Sequence, residues 1–262
     1  MPFDGGMMSG VVSELNSSVI GAKVEKVYVP TKDELVLLLH SLSGNLRLSL
    51  CASAHTPRIN LTKITKENPK EPGAFCMHMR KHLTGAKITK VEQIEFDRTA
   101  KLTFTTTDEM GFPCEKHLYA EIMGKCSNVV LTDENEKIIN VIKTVDFTTS
   151  SKRQLLPGMI YELPPSQNKK NPLCETKSGF ISCVCDKDEI NDSFFMSSYQ
   201  GISPIVSREI YSLSGNDPEK MWFFFSSYIE KAKSSTLTPT MLKDAKGKPC
   251  DFTVLSITHY GT

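Results

Sequence analysis

The feature that most constrains the fold is a run of strand-like segments with short connections in the first half of the chain. Two early segments, residues 34–40 and 45–51, flank a Ser-Gly-Asn turn and predict a hairpin. Short connections allow neighbouring strands to pair antiparallel but leave little room for crossover helices. The sequence therefore predicts a mostly antiparallel sheet, which continues through residues 88–95, 99–106, 115–123, 128–132 and 137–143.

Helical signals dominate the second half. Residues 156–173 hold four prolines, which indicates a connector rather than a core element. Beyond it, Ser203-Pro204 and Asp217-Pro218 each place a capping residue before a proline, as at the start of a helix. We therefore predict an α+β protein with an N-terminal domain over residues 1–172 and a small helical domain over residues 173–262. The helical domain should end in a hairpin around residues 244–247.

Two helices are also expected in the N-terminal domain. Val11, Leu15 and Val19 are spaced four residues apart, as on one face of a helix. Residues 73–85 place Phe75 and Met79 on one side of a helical wheel, opposite Lys81. Both segments end at a glycine that can terminate a helix.

The composition favours a reducing, cytoplasmic environment without membrane attachment. Eight cysteines occur with no C-x-x-C spacing, and several lie in apolar segments, where reduced cysteine behaves as a small hydrophobic residue. No apolar run approaches the roughly 18 residues of a membrane span. The N-terminus has no basic segment before an apolar stretch, so no signal peptide is expected.

Catalytic and cofactor-binding motifs are missing from the sequence. It contains no G-x-S-x-G, H-E-x-x-H, Walker or G-x-G-x-x-G motif. His78 and His82 have a spacing that can bind metal on a helix, but no acid or cysteine nearby completes the set. Cys183 and Cys185 likewise lack histidine partners. We expect no metal, no cofactor and no catalytic residue.

Charge is concentrated in one segment although the whole chain has a formal net charge of only +1. Residues 61–90 hold seven lysines and arginines against two glutamates, a local charge of +5. Such a segment either contacts nucleic-acid phosphates or forms an ordinary solvated face. The candidate phosphate contacts are Arg80, Lys81 and Lys87.

Asp97 and Arg98 stand just before a strand in which Ala100, Leu102 and Phe104 alternate with polar residues. An unbroken strand would place Arg98 on the apolar face, because residues two apart share a face. Burial of an unpaired guanidinium is costly. Either the chain turns at this pair, or the pair has a specific role.

Several segments together resemble the N-terminal half of the NFACT family. They occur in family order along nearly the whole chain, and their combination is more specific than any single motif. Bacterial members of the family are RqcH, also described as fibronectin-binding proteins, and the eukaryotic member is NEMF. The matching segments are MPFDG, KDELVLLL, EPGAFCMHMRKHLTGAKI, FDR, AEIMGKCSNVVLTDENEKII, LPGMIYELPP and GISPIVSREI.

The resemblance implies a factor of ribosome-associated quality control rather than an enzyme. Family members bind large ribosomal subunits that carry peptidyl-tRNA, and they recruit aminoacyl-tRNA, which in bacteria is alanyl-tRNA for C-terminal alanine tailing. The ribosome supplies the peptidyl-transfer chemistry. The resemblance places tRNA contacts at Asp4, Asp97, Arg98, Glu121, Ile122 and Met123.

The resemblance also implies details of the fold and two alternative functions. The family's N-terminal domain is similar to that of Fpg/MutM DNA glycosylases, and its next domain to their helix–two-turn–helix region. The family's coiled coil and C-terminal RNA-binding domain have no counterpart in this sequence, which we therefore expect to be a truncated form. The alternatives are a fibronectin- or fibrinogen-binding protein and, less favoured, a glycosylase using Pro2, since Phe3 replaces the glutamate of that group.

Overall fold

The computed structural model describes residues 3–42, 44–165, 167–187 and 189–258. The helices are α1 (Gly5–Val19), α2 (Ala74–Leu83), α3 (Lys177–Cys185), α4 (Phe194–Ser198), α5 (Pro204–Ser214) and α6 (Pro218–Lys233). The first strands are β1 (Lys23–Thr31), β2 (Glu34–Ser41), β3 (Gly44–Cys51), β4 (Arg58–Leu61), β5 (Lys87–Gln93) and β6 (Thr99–Thr107). The later strands are β7 (Pro113–Glu121), β8 (Asn128–Asp133), β9 (Ile138–Val141), β10 (Thr240–Lys243) and β11 (Pro249–Thr253).

The chain packs as two compact units. The helical unit comprises the described residues of Met1–Gly10, Glu95–Arg98 and Ser166–Thr262, and the sheet unit comprises Val11–Ile94 and Thr99–Pro165. The predicted boundary at residues 172–173 lies a few residues after this break. Sequence inspection also assigned residues 1–10 and 95–98 to the N-terminal domain, because these two segments reach the helical unit only through contacts distant in sequence.

The sheet unit contains one nine-stranded sheet in the order β4-β3-β2-β1-β5-β6-β7-β8-β9, with antiparallel pairing between all neighbours. This arrangement confirms the predicted α+β class and the antiparallel sheet. Strands β1 and β5 share the single register pair Lys23 and Lys87. Strands β3 and β8 contact each other, and Lys143 after β9 donates to the carbonyl of Ala52 after β3. The sheet therefore folds over on itself.

The core of the sheet unit follows from strand alternation. Leu35, Leu37 and Leu39 of β2 are fully buried, and Leu48 and Leu50 of β3 lie on the same side. The predicted β2–β3 hairpin is present, although Ser43 of its turn lies outside the described residues. Both helices predicted for this part of the chain are also present. The α2 helix buries Cys76, Met79 and Leu83.

An aromatic cluster forms the core of the helical unit. Phe180 stacks with Phe195 and Phe225 at centroid distances of 6.0 and 5.6 Å, and Tyr199 lies 4.6 Å from Phe225. Two of its helices begin as predicted. Ser203 caps α5 by accepting from the Val206 amide, and Asp217 caps α6. The predicted terminal hairpin is formed by β10 and β11.

Candidate functional site

The backbone turns at Asp97 and Arg98, as one of the two interpretations of the sequence required. The amide of Ile94 donates to the carbonyl of Thr99 at 2.9 Å, and Glu95 takes a positive φ of 52°. The Arg98 side chain keeps 30% of its surface exposed and that of Asp97 keeps 36%. The guanidinium therefore remains accessible.

Asp97 holds the neighbouring arginine in place. Its Oδ1 accepts from the Arg98 amide at 2.7 Å and lies 3.6 Å from Arg98 Nε. A guanidinium has five N–H donors in a planar fork, so the pair can present donors to a further acceptor.

Asp4 lies near Arg98 but is buried. Its Oδ1 accepts from the Met7 amide at 2.9 Å, and its Oδ2 accepts from Ser203 Oγ at 2.5 Å. Burial raises the pKa of Asp4, while the hydrogen bonds from Ser203 and Met7 and the charge of Arg98 act in the opposite direction. The structure thus brings Asp4, Asp97 and Arg98 together within the helical unit, with Asp4 in a structural position.

Phe96 anchors the turn. Its ring is buried in the aromatic cluster and meets Tyr228 edge-on at 6.2 Å. Its carbonyl lies against Gly5 and Gly201, and a Cβ added at Gly201 would lie only 1.8 Å from that oxygen. Gly201 also has a φ of +67°, which favours glycine. This close packing fixes the backbone on which Asp97 and Arg98 stand.

Glu121 is sealed inside the sheet unit, with 1% of its side chain exposed. Arg153 makes a bidentate pair with it, through Nη1 at 3.0 Å and Nη2 at 2.5 Å, and the Tyr161 hydroxyl donates to Oε1 at 2.8 Å. Tyr161 also stacks on Tyr119 at 4.0 Å. Both oxygens of the Glu121 carboxylate therefore accept hydrogen bonds from other residues of the sheet unit.

Of the other two residues in the predicted strand motif, only Met123 reaches the surface. Ile122 is fully buried, whereas Met123 is partly exposed. Gly124 has a φ of +61° and begins a single 3₁₀ turn shortly after β7 ends. Lys125 in this turn is exposed and was not singled out from the sequence, although a lysine directly after the motif was visible there.

The three candidate phosphate contacts differ in availability. Arg80 Nε donates to the Val27 carbonyl at 3.1 Å, so part of its guanidinium is used within the sheet unit. Lys81 is 61% exposed and pairs with Glu109 at 2.7 Å. Lys87 is exposed at the start of β5. Both lysines can meet an anionic ligand, and the Lys81 pair is weak because both of its members are solvated.

His82 is held neutral at physiological pH. Burial and the positive charges of Lys116 and Lys81 lower its pKa to about 4. Its Nδ1 lies 3.1 Å from Lys116 Nζ. Across the described ranges, no group of three or more histidine, cysteine, aspartate or glutamate side chains is arranged to hold a metal ion.

Two further predictions from the sequence concern Pro2 and Phe3 and the absence of a membrane-spanning segment. Phe3 is buried, and Pro2 lies outside the described residues. Among the residues that the structure describes, no helix is both long and apolar enough to cross a bilayer.

Comparison with known proteins identifies the class to which this fold and these motifs belong. Residues 4–262 match the family described as NFACT N-terminal and middle domains. The chain belongs to this family, and the resemblance seen in the sequence is confirmed.

Curated relatives are similar over most of the chain. The Rqc2 homolog RqcH of Streptococcus pneumoniae is 34% identical over 254 residues, which cover 95% of this chain and 46% of the relative. RqcH of Bacillus subtilis is 33% identical, covering 82% of this chain and 38% of the relative. Human ribosome quality control complex subunit NEMF is 28% identical, covering 52% and 12%. The chain spans about half the length of the first relatives or less, and their names indicate ribosome quality control at the family level.

Solved structures with a similar fold come from proteins that are named as fibronectin- or fibrinogen-binding rather than as RqcH. The N-terminal part of the fibronectin/fibrinogen-binding protein from Streptococcus suis has a TM-score of 0.84 at 28% identity, covering 99% of this chain and 95% of that one. The fibrinogen-binding protein from Staphylococcus aureus has a TM-score of 0.87 at 26% identity, covering 100% and 93%.

Proposed function

We propose that this chain is the tRNA-binding part of a cytoplasmic ribosome-associated quality-control factor. In this role it recruits aminoacyl-tRNA, in bacteria alanyl-tRNA, to large ribosomal subunits that carry a stalled chain on peptidyl-tRNA. The C-terminal alanine tail is then made by the ribosome, so the chain itself needs no catalytic residue. The names of its relatives support the process, and the exposed Asp97–Arg98 pair supports the contact with tRNA.

The single observation that carries the proposal is the fixed position of Arg98. Phe96 anchors its turn in the aromatic cluster, Asp97 Oδ1 accepts from the Arg98 backbone amide, and the same oxygen lies 3.6 Å from Arg98 Nε. A preorganised guanidinium loses little freedom when it binds. Its fork of donors suits either a phosphate or the edge of a guanine base.

We propose different roles for the other site residues, and their burial supports these roles. Asp4 and Glu121 act by positioning the backbone, since both are buried and hydrogen-bonded to other residues. Met123, and Lys125 after it, are the accessible members of the second motif. Lys81 and Lys87 add phosphate contacts without sequence preference.

The family resemblance also implies a relationship between each of the two units and a domain of another protein class. We propose that the sheet unit is similar to the N-terminal domain of Fpg/MutM proteins and that α5 and α6 belong to a helix–two-turn–helix-like region. The Ser203 and Asp217 caps that begin these two helices support the second part.

Replacement of Arg98 by alanine tests the tRNA assignment. In the full-length protein, R98A should reduce the tRNA that co-purifies by at least about tenfold, because a charge-assisted hydrogen bond contributes roughly 1.5–3 kcal/mol. The amount and identity of the RNA are measured by sequencing and by filter binding. R208A is the matched control, since Arg208 is an exposed arginine of the helical unit. Equal tRNA recovery from R98A and R208A would show that the site assignment is wrong.

A second candidate function is binding to fibronectin or fibrinogen, the property for which the two proteins of similar structure are named. Surface plasmon resonance with purified fibronectin tests this directly. Binding at nanomolar concentration, together with exposure of the protein on intact cells, would favour this second function.

A further inference from the structure

One face of strands β1–β4 forms a polar cavity that the proposed tRNA site does not use. Tyr28, Val36, Ser49 and Asn60 are consecutive register partners across the four strands, so their side chains share one face. The opposite face carries the leucines of the core. Strand alternation predicts that this polar face is solvated, yet Ser49 is only 2% exposed.

The segment after β4 covers this face. Arg47 Nη1 donates to Thr65 Oγ1 at 2.7 Å and to the carbonyl of Ile64 at 3.3 Å, which fastens the segment over the strands. A cavity of about 190 Å³ remains, with Asn68 and Lys66 of the segment among its lining residues. This volume is below the roughly 300–1,000 Å³ typical for whole small-molecule ligands. It suits one unit of a larger molecule.

The cavity is positively charged. Arg47, Arg58 and Lys66 line it with one carboxylate, that of Glu34, for a net charge of +2. Glu34 accepts from Ser49 at 2.8 Å and from Lys66 at 2.5 Å, and it lies 3.5 Å from Arg58 Nη2. The single carboxylate offsets one of the three cations, so the cavity favours an anionic group.

Glu34 remains ionised at neutral pH and holds two of the cations in place. Burial raises its pKa, but the hydrogen bonds from Lys66 and Ser49 and the nearby charges outweigh this and lower its pKa. In the described ranges, both hydrogen bonds donated by Arg58 come from Nη1 and go to Thr56. Arg58 therefore keeps further N–H donors for a ligand.

The side chain of Asn60 indicates a second property that a ligand of this cavity should have. Its Nδ2 donates to the Leu61 carbonyl at 2.8 Å, which fixes the orientation of the amide. Its Oδ1 is buried and has no hydrogen-bond partner within the described part of the chain, and Asn60 is one of the residues that line the cavity. Buried acceptors without a donor are rare in folded proteins. A ligand for this cavity should thus combine an anionic group with a hydroxyl or amino donor.

We propose that the cavity holds one ribose–phosphate unit of an RNA chain, with the phosphate at Arg58 and Arg47 and the 2′-hydroxyl donating to Asn60. This inference rests on the proposed RNA-binding function and adds a second contact surface in the sheet unit. The 2′-hydroxyl is the group that distinguishes RNA from DNA. The cavity thereby provides a preference for RNA that is independent of sequence.

Fluorescence anisotropy with two labelled 12-nucleotide probes, oligo(U) RNA and oligo(dU) DNA, tests the inference on the whole chain. R58Q should weaken RNA binding about tenfold and lower the slope of log affinity against log salt by about 1. N60L should remove a preference for RNA over DNA of about fivefold while leaving DNA binding unchanged. K26Q is the charge-matched control, because Lys26 is exposed on β1 outside the cavity.

The outcomes separate this inference from the tRNA proposal. Thermal unfolding of each variant first confirms that it is folded. If R58Q and N60L bind both probes like K26Q while R98A loses tRNA, the cavity inference is wrong and the tRNA site stands. If R58Q and N60L weaken RNA binding but R98A does not, the cavity stands and the Arg98 assignment fails. Uridine monophosphate that competes at the same concentration as the 12-nucleotide RNA would also overturn the inference, because the site would then serve a free nucleotide.

Discussion

Glu121 and Arg153 lie far apart in sequence and form a bidentate ion pair that is almost completely buried. Tyr161 hydrogen-bonds to the same carboxylate and packs under the Arg153 guanidinium at 5.1 Å. A carboxylate in this environment is stabilised only while its partners are present. The family resemblance implies a tRNA contact at Glu121, and its burial beside Arg153 and Tyr161 supports the proposal that it positions the backbone next to Met123.

Arg153→Ala should destabilise the protein strongly, because it leaves the Glu121 charge buried with one hydrogen bond. The expected loss is about 3–5 kcal/mol of unfolding free energy, or roughly 10 °C in Tm for a chain of this size. Urea and thermal unfolding followed by circular dichroism measure it.

The double variant Glu121→Leu/Arg153→Met is the control for this prediction. It removes both charges and should recover most of the lost stability. If Arg153→Ala instead keeps its Tm and loses only tRNA binding, Glu121 and Arg153 belong to the ligand site and the structural interpretation is wrong.

The start of α1 and the start of α5 meet at Asp4. The carboxylate caps the first turn of α1 through the Met7 amide and accepts from Ser203, the cap of α5. Helix N-termini favour negative charge, but the burial of Asp4 outweighs this effect and raises its pKa.

Because the pKa of Asp4 is raised in the folded protein, Asp4 makes the free energy of unfolding depend on pH. The folded protein binds the Asp4 proton more tightly than the unfolded chain does, so acidification through the raised pKa towards 3.8 favours the folded state. Relative to Asp4→Asn, wild type should therefore gain stability as the pH falls through this window. Urea unfolding of both proteins from pH 7 to pH 3.5 measures the difference, and a difference that moves in favour of Asp4→Asn on acidification would contradict it.

Local patterns in the sequence predicted most elements of the fold. Strand alternation and the Ser203 and Asp217 caps were visible in short windows, and a turn at Asp97 was one of two interpretations that the sequence left open. The positions of Glu121 and Phe96 were not, because their surroundings are supplied by Arg153 and Gly201, distant in sequence. The identity of the site residues therefore stays a prediction, and their burial could not be read from short windows of the sequence.

At the scale of the whole molecule, the helical unit is assembled from three separate segments of the chain. Phe96 fills part of its aromatic core, and Asp4 binds the cap of α5. A fragment of residues 166–262 lacks both of these side chains, whereas a fragment of residues 11–165 keeps every strand of the nine-stranded sheet.

The two fragments should behave differently. Residues 11–165 should retain a cooperative unfolding transition with β-type circular dichroism. Residues 166–262 should show no cooperative transition and a poorly dispersed NMR spectrum, since a missing buried phenylalanine alone costs about 3–5 kcal/mol. A well-dispersed spectrum from residues 166–262 would show that the two other segments are dispensable.

The discontinuous make-up of the helical unit also sets an order of events during translation. Residues 3–10 are synthesised before their partners in α5 and α6, which follow roughly 200 residues later. At about 5–20 residues per second, this delay is on the order of 10–40 s. All strands of the sheet are complete well before then, so the sheet unit is free to fold first. Residues 3–10 can therefore take their place in the helical unit only after α5 and α6 have been synthesised.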